Sequence, residues 1–187
     1  MIPVLVILGI VVVLALWATS KYNLLVKLRN NRENAFADID VQLKQRHDLI
    51  PQLVATVKGY AAHERETLDS VINARNGAIN AKSIDEKIVA ESALTSALAG
   101  LKVTVEAYPD LKANTNFLQL QEEISDIENK LAAVRRFFNS ATKELNTAVE
   151  MFPSNIIAGM FGFKKELFFD LGTTERKNLE QAPEISF

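Results

Sequence analysis

The first eighteen residues, MIPVLVILGIVVVLALWA, hold no charge. All 21 Lys and Arg and all 23 Asp and Glu of the 187-residue chain follow them. A helix over residues 1–18 would be about 27 Å long at 1.5 Å per residue, and Thr19 and Ser20 extend it toward a hydrocarbon core of about 30 Å. Ile2, Val4, Leu5, Ile7, Leu8, Ile10, Val11, Val13, Leu14, Leu16 and Trp17 would then face lipid, with Trp17 and Tyr22 at the level of an aromatic belt. A cleaved signal peptide would begin with basic residues and end at a small-residue site. Here Ile2 and Pro3 follow Met1 directly, and Ala18-Thr19-Ser20 fits such a site poorly. The expectation is an uncleaved transmembrane anchor over residues 1–20. Lys21, Lys27, Arg29 and Arg32 precede the first acid, Glu33, so the positive-inside rule places residues 21 onward in the cytoplasm and the short N-terminus outside.

Beyond the anchor the pattern is helical for most of the chain. Phe36, Ile39, Leu43, Ile50, Leu53, Val57 and Tyr60 alternate by three, four and seven, interrupted at Arg46, and Leu68, Val71 and Arg75 extend the stripe past Glu64. The anchor is expected to run straight into this helix, which ends near Asn76-Gly77 or Asn80. Pro51 removes a backbone donor and biases Ile50 away from the helical region, so either a kink in one long helix or a break between two is expected, and the unbroken phase of the stripe favours the kink. Ser83-Ile84-Asp85-Glu86 reads as a capping box that starts a second helix, whose apolar side is Ile88, Leu94, Leu98 and Leu101. Pro109 and Asp110 read as a turn, and Asn114 as the N-cap of a third helix. That helix carries the strongest seam: Phe117, Leu120, Ile124, Ile127, Leu131, Val134, Phe138, Ala141, Leu145, Ala148 and Phe152, with no Gly or Pro until Pro153. Arg135 and Arg136 are expected to flank this seam as a charged rim.

Composition excludes several classes of function. With no cysteine there is no thiolate zinc site and no Cys nucleophile. A net charge of −2 gives no basic field for nucleic acid. His47 and His63, the two histidines, are sixteen residues apart, or roughly 24 Å along one helix, too far to share a metal. A metal-dependent hydrolase built on them is therefore disfavoured. Glu122, Glu123, Asp126 and Glu128 lie largely opposite Ile124 and Ile127, where solvent is expected. No phosphate-binding glycine loop or nucleophile elbow occurs. No catalytic residue, metal ligand or cofactor is assigned. Arg46, His47 and Glu64 read as a polar layer that fixes the register of the helices.

The end of the chain is richer in aromatics. FGFKKELFFDLG places Phe161, Phe163, Phe168 and Phe169 within nine residues. They either cap the bundle or form an interaction surface for a second copy, a partner or the membrane.

Several segments together resemble the LemA family of bacterial single-pass membrane proteins. They are YNLLVKLRN from Tyr22, DIDVQLKQRHDLIPQLVATVKGYAAHE from Asp38, EAYPDLKAN from Glu106, AVRRFFN from Ala133 and FPSNIIAGMFGF from Phe152. The resemblance implies an N-terminal anchor in the inner (cytoplasmic) membrane, an antiparallel helical bundle and no established enzymatic activity. It also implies a short N-terminus outside and the domain inside, in agreement with the charge count.

The reading is an all-α chain: a transmembrane anchor (1–20), an elongated antiparallel bundle of long helices (21–152), and a Phe-rich segment with a polar tail (153–187). The expected function is a non-enzymatic, membrane-anchored scaffold or adaptor, a homo-oligomer that contacts the lipid bilayer through its first helix. The alternative is an accessory subunit of another membrane complex, such as a protease or transporter, with a membrane-protein partner.

Overall fold

The computed structural model describes residues 2–169, and among the described residues there is no strand. Six helices follow in order: α1 Ile2–Tyr60, α2 Arg65–Asn80, α3 Ile84–Val105, α4 Pro109–Lys112, α5 Thr115–Glu150 and α6 Ser154–Met160. The polar tail from residue 170 onward lies outside the described residues. The described residues divide into two compact units, 2–39 with 133–168, and 40–132 with 169. The long helices α1 and α5 contribute to both.

In the second unit, the C-terminal part of α1, then α2, α3 and the N-terminal part of α5 form an up-down-up-down four-helix bundle. Its core joins Ile50, Leu53 and Val57 of α1, Leu68 and Val71 of α2, Leu94, Leu101 and Val105 of α3, Leu111 of α4 and Phe117 of α5. The sequence signals for the helix starts correspond to real caps. Ser83 Oγ accepts from the Glu86 amide while Glu86 reaches back to the Ser83 amide. Asn114 Oδ1 accepts from the Phe117 amide. Pro109 opens a single turn of helix rather than a bare turn.

The first helix does not end where its stripe suggested. It runs without interruption through Pro51 and stops at Tyr60, and α2 begins only at Arg65. Gly59 weakens the last turn, and the break spends the polar residues His63 and Glu64 on a reversal. Distant residues secure that reversal. Tyr108 donates its hydroxyl to Glu64 at 2.8 Å, and Asn114 Nδ2 donates to Tyr60 Oη at 2.9 Å.

The first unit is an antiparallel pair, the early part of α1 against the late part of α5. Phe36 meets Phe138 edge-on, with ring centroids 5.6 Å apart. Near the end of α5, Leu25, Ile157 and Ala158 form a small core joined by Trp17, Ala18, Ala148, Val149 and Phe163. Two details of the α5 seam differ from expectation. Phe138, Ala141 and Leu145 keep the seam buried, but Arg135, next to Val134, is buried with them rather than on a rim. Phe152, past the end of α5, is 78% exposed.

Residues 2–16 of α1 are exposed throughout, and near the N-terminus α1 holds an 18-residue window with a mean hydropathy of 2.8 and none of it buried. By length and composition it suits a membrane span. Helix α3 also passes that test, at 1.4, but Ile88, Leu94, Leu101 and Val105 are buried, which makes it a bundle core helix.

Candidate functional site

Arg46 lies on the apolar stripe of α1, between Leu43 and Ile50, so the helix aims it inward. It is 2% exposed. A buried guanidinium must find an anion or forfeit several kcal/mol of solvation. Its partner is Glu91 of α3, likewise 2% exposed, which pairs with Arg46 Nη2 through Oε2. The other carboxylate oxygen, Oε1, lies 2.6 Å from His47 Nε2. An ionised carboxylate only accepts, so Nε2 carries the proton in this bond. Thr95 Oγ1 donates to the Glu91 carbonyl at 2.9 Å and accepts from Arg46 Nη1 at 3.4 Å. Arg75 of α2 adds a further contact: its Nε donates to the His47 carbonyl at 2.7 Å.

The structure therefore brings Arg46 and His47 together and leaves Glu64 elsewhere, on Tyr108. His63 is exposed in the reversal between α1 and α2. Glu91 was not anticipated, yet it carried a signal. It falls three residues from both Ile88 and Leu94, on the apolar side of α3, where a carboxylate calls for a buried cation. Chemically the cluster contains an acid–imidazole pair, but both carboxylate oxygens are engaged inside the bundle. Among the described residues no group of three or more His, Asp or Glu gathers to hold a metal. Glu122, Glu123, Asp126 and Glu128 are all exposed. Beside α3 and α5 a groove of about 600 Å³ is lined mainly by apolar side chains, among them Leu98, Leu101, Phe117 and Ile124.

The first unit holds a second polar cluster, centred on Arg32, which is 4% exposed. Arg32 precedes Phe36 by four residues, so it too points along the apolar stripe. Its Nε donates to Thr142 Oγ1 at 3.3 Å, Nη2 to the Leu167 carbonyl at 3.2 Å, and Nη1 pairs with Glu166 at 3.3 Å. Its guanidinium also lies over the Phe138 ring, 4.9 Å from the centroid. Asn146 completes the arrangement. It donates to the Glu166 carbonyl at 2.9 Å and accepts from the Glu166 amide at 2.8 Å. The non-helical segment 163–168 is thus strapped down by side chains.

The four phenylalanines of that region separate into two kinds. Phe163 is half-buried, edge-on to Tyr22 at 6.0 Å and beneath Arg29 at 5.1 Å. Phe169 is buried. Phe161 rests against Tyr22 at 4.7 Å yet stays 57% exposed, and Phe168 is also exposed.

Known proteins match this chain over most of its length. Protein LemA of Metamycoplasma hominis is 28% identical over 160 residues, covering 84% of this chain and 73% of that protein. Magnetosome protein MamQ of Magnetospirillum gryphiswaldense is 21% identical over 175 residues, covering 80% of this chain. Magnetosome protein MamQ 2 of Paramagnetospirillum magneticum matches at the same identity and coverage. The chain spans 64% of the length of each magnetosome protein. Together with the apolar start of α1, these relatives point to a membrane-anchored bacterial chain. Matched by the family model from residue 35 to residue 187, the chain belongs to the LemA family.

Proposed function

We propose that the chain is a non-enzymatic, self-assembling scaffold or adaptor, anchored in the bacterial inner membrane by residues 2–20 with its helical units in the cytoplasm. The observation that carries this reading is Glu91. The acid, guanidinium and imidazole with the most chemical potential are spent on one another, and Glu91 is 2% exposed with both oxygens engaged. Such a cluster fixes which helix faces which. The anchor confines copies to two dimensions, where weak lateral contacts gain from a raised effective concentration. Exposed Phe137 and Phe168 supply apolar surface for those contacts.

The test is the mass of the full-length protein in mild detergent, by light scattering with the detergent contribution subtracted. A mass many times 20.8 kDa supports a scaffold, and Phe168→Ser should lower it. A monomer or dimer that co-purifies with one membrane protein at fixed stoichiometry would make the chain an accessory subunit instead.

A further inference from the structure

Residues 151–163, MFPSNIIAGMFGF, hold no charge, and the structure shows where that run sits. Ser154 Oγ bonds the carbonyls of Ala148 and Met151 at 2.6 and 2.9 Å, which turns the chain from α5 into α6. Helix α6 buries one side, Ile157 and Ala158, against Leu25, in a cluster shared with Trp17 and Ala18. Trp17 and Ala18 end the apolar run of α1. Helix α6 is therefore fixed beside the part of α1 between Ala18 and Leu25, a span of about 10 Å that begins where the hydrocarbon of a bilayer would end.

The opposite side of α6 is apolar as well. Ile156 is 51% and Met160 72% exposed, four residues apart on one face, and Phe152 and Phe161 are exposed beside them. A solvent-facing side of a helix ordinarily carries charge. The charges that flank the patch along the chain and follow the anchor are mostly basic, and Arg29 lies over the Phe163 ring. Lys21, Lys27 and Arg29 follow the anchor with no acid among them, and Lys164 and Lys165 follow the uncharged run. Glu150, just before the run, is paired with Lys165 at 2.6 Å.

The geometry points to α6 and its flanks as a second membrane contact, in which Phe152, Ile156, Met160 and Phe161 enter the headgroup–acyl boundary of an anionic bilayer beside the anchor. An apolar face rimmed by lysine and arginine is what such a boundary accepts. This rests on the anchor reading, because α6 is positioned by Trp17 and Ala18. The contact would also fix the tilt and rotation of α1, which a single apolar helix leaves to its neighbours and interfacial anchors.

The chain has no native cysteine, so single labels are clean. Val11→Cys, Met160→Cys and Val103→Cys each carry a bimane, in full-length protein placed in nanodiscs of phosphatidylcholine and phosphatidylglycerol. A fraction of the lipid bears a spin-label quencher, shallow or deep in the acyl chain. The expected result is a several-fold loss of emission at position 160 with the shallow quencher, at position 11 with the deep one, and at position 103 with neither. Quenching at 11 without quenching at 160 overturns the second contact and leaves the anchor standing, including where labels at 160 report a neighbouring copy. No quenching at 11 removes the anchor reading itself, and the second contact with it.

Discussion

Arg75 donates its Nε–H to the carbonyl of His47, and that carbonyl is the one Pro51 leaves without a helical partner. In a regular helix the amide of residue 51 would bond the carbonyl of residue 47, and proline has no amide hydrogen. A side chain from α2 supplies the missing donor, and α1 continues for another nine residues. A half-buried carbonyl stripped of its donor costs about 1–3 kcal/mol. Arg75→Met should therefore destabilise the protein by that order, read as the urea midpoint of the circular dichroism signal. In a Pro51→Ala background the amide returns and the same change should cost clearly less. Equal costs in both backgrounds would dissociate Arg75 from the proline.

Glu91 should be the most sensitive polar position in the second unit. Removing one partner of a buried charge pair leaves the other uncompensated, at about 3–5 kcal/mol. Glu91→Gln is expected to fall in that range. Replacing Arg46 and Glu91 together by Met and Leu should recover much of the loss, since both charges then leave the core. A double variant as unstable as the sum of the singles would contradict the pairing.

Two titrations act in opposite directions. The backbone amides of Lys82 and then Ser83 hold the Glu86 carboxyl below the usual carboxylate range. Its contribution is therefore present above that range and lost as pH falls through the folded value. Protection of the amides at the start of α3, taken relative to their intrinsic exchange rates, should fall in acid, and Glu86→Gln should flatten that dependence. The hydrogen bond to Glu64 raises the Tyr108 phenol above its ordinary value. That contribution is present below about pH 10 and lost as pH rises through the folded value. Of the three tyrosines, one should ionise late in an ultraviolet titration, and Glu64→Gln should bring it earlier.

Asn146→Ala should release the strap without unfolding the helices. It removes both bonds to the Glu166 backbone and leaves the Phe36–Phe138 contact in place. Trypsin would then cut after Lys164 and Lys165 several-fold faster, at unchanged helicity. Equal cutting rates would show that Arg32 alone suffices to hold the segment.

Much of the helical layout was legible because helix signals are local. The Ser83–Glu86 box, the Asn114 cap and the seven-residue seam of α5 each act within a few residues. The reversal at 61–64 was not legible, since its supports, Tyr108 and Asn114, are more than forty residues away in sequence. At Pro51 the continuity of the stripe was legible, but the compensating donor belongs to another helix. The polar partners were partly legible. Arg32 and Arg46 sit on apolar stripes and demand anions, but a single stripe does not say whether Glu91 or Glu64 will answer. Phe152 fits the heptad count of α5, yet the helix ends two residues earlier and the ring turns outward.

The strap has a mechanical meaning. Its residues advance in the same direction as α1, with Phe163 beside Tyr22 and Arg29 and Leu167 beside Arg32. A pull on Phe168 along α1 therefore loads the ring contacts, the Arg32 fork and the Asn146 pair side by side, rather than opening them one after another. Tension applied there reaches α1 directly, in the turns that follow its apolar segment.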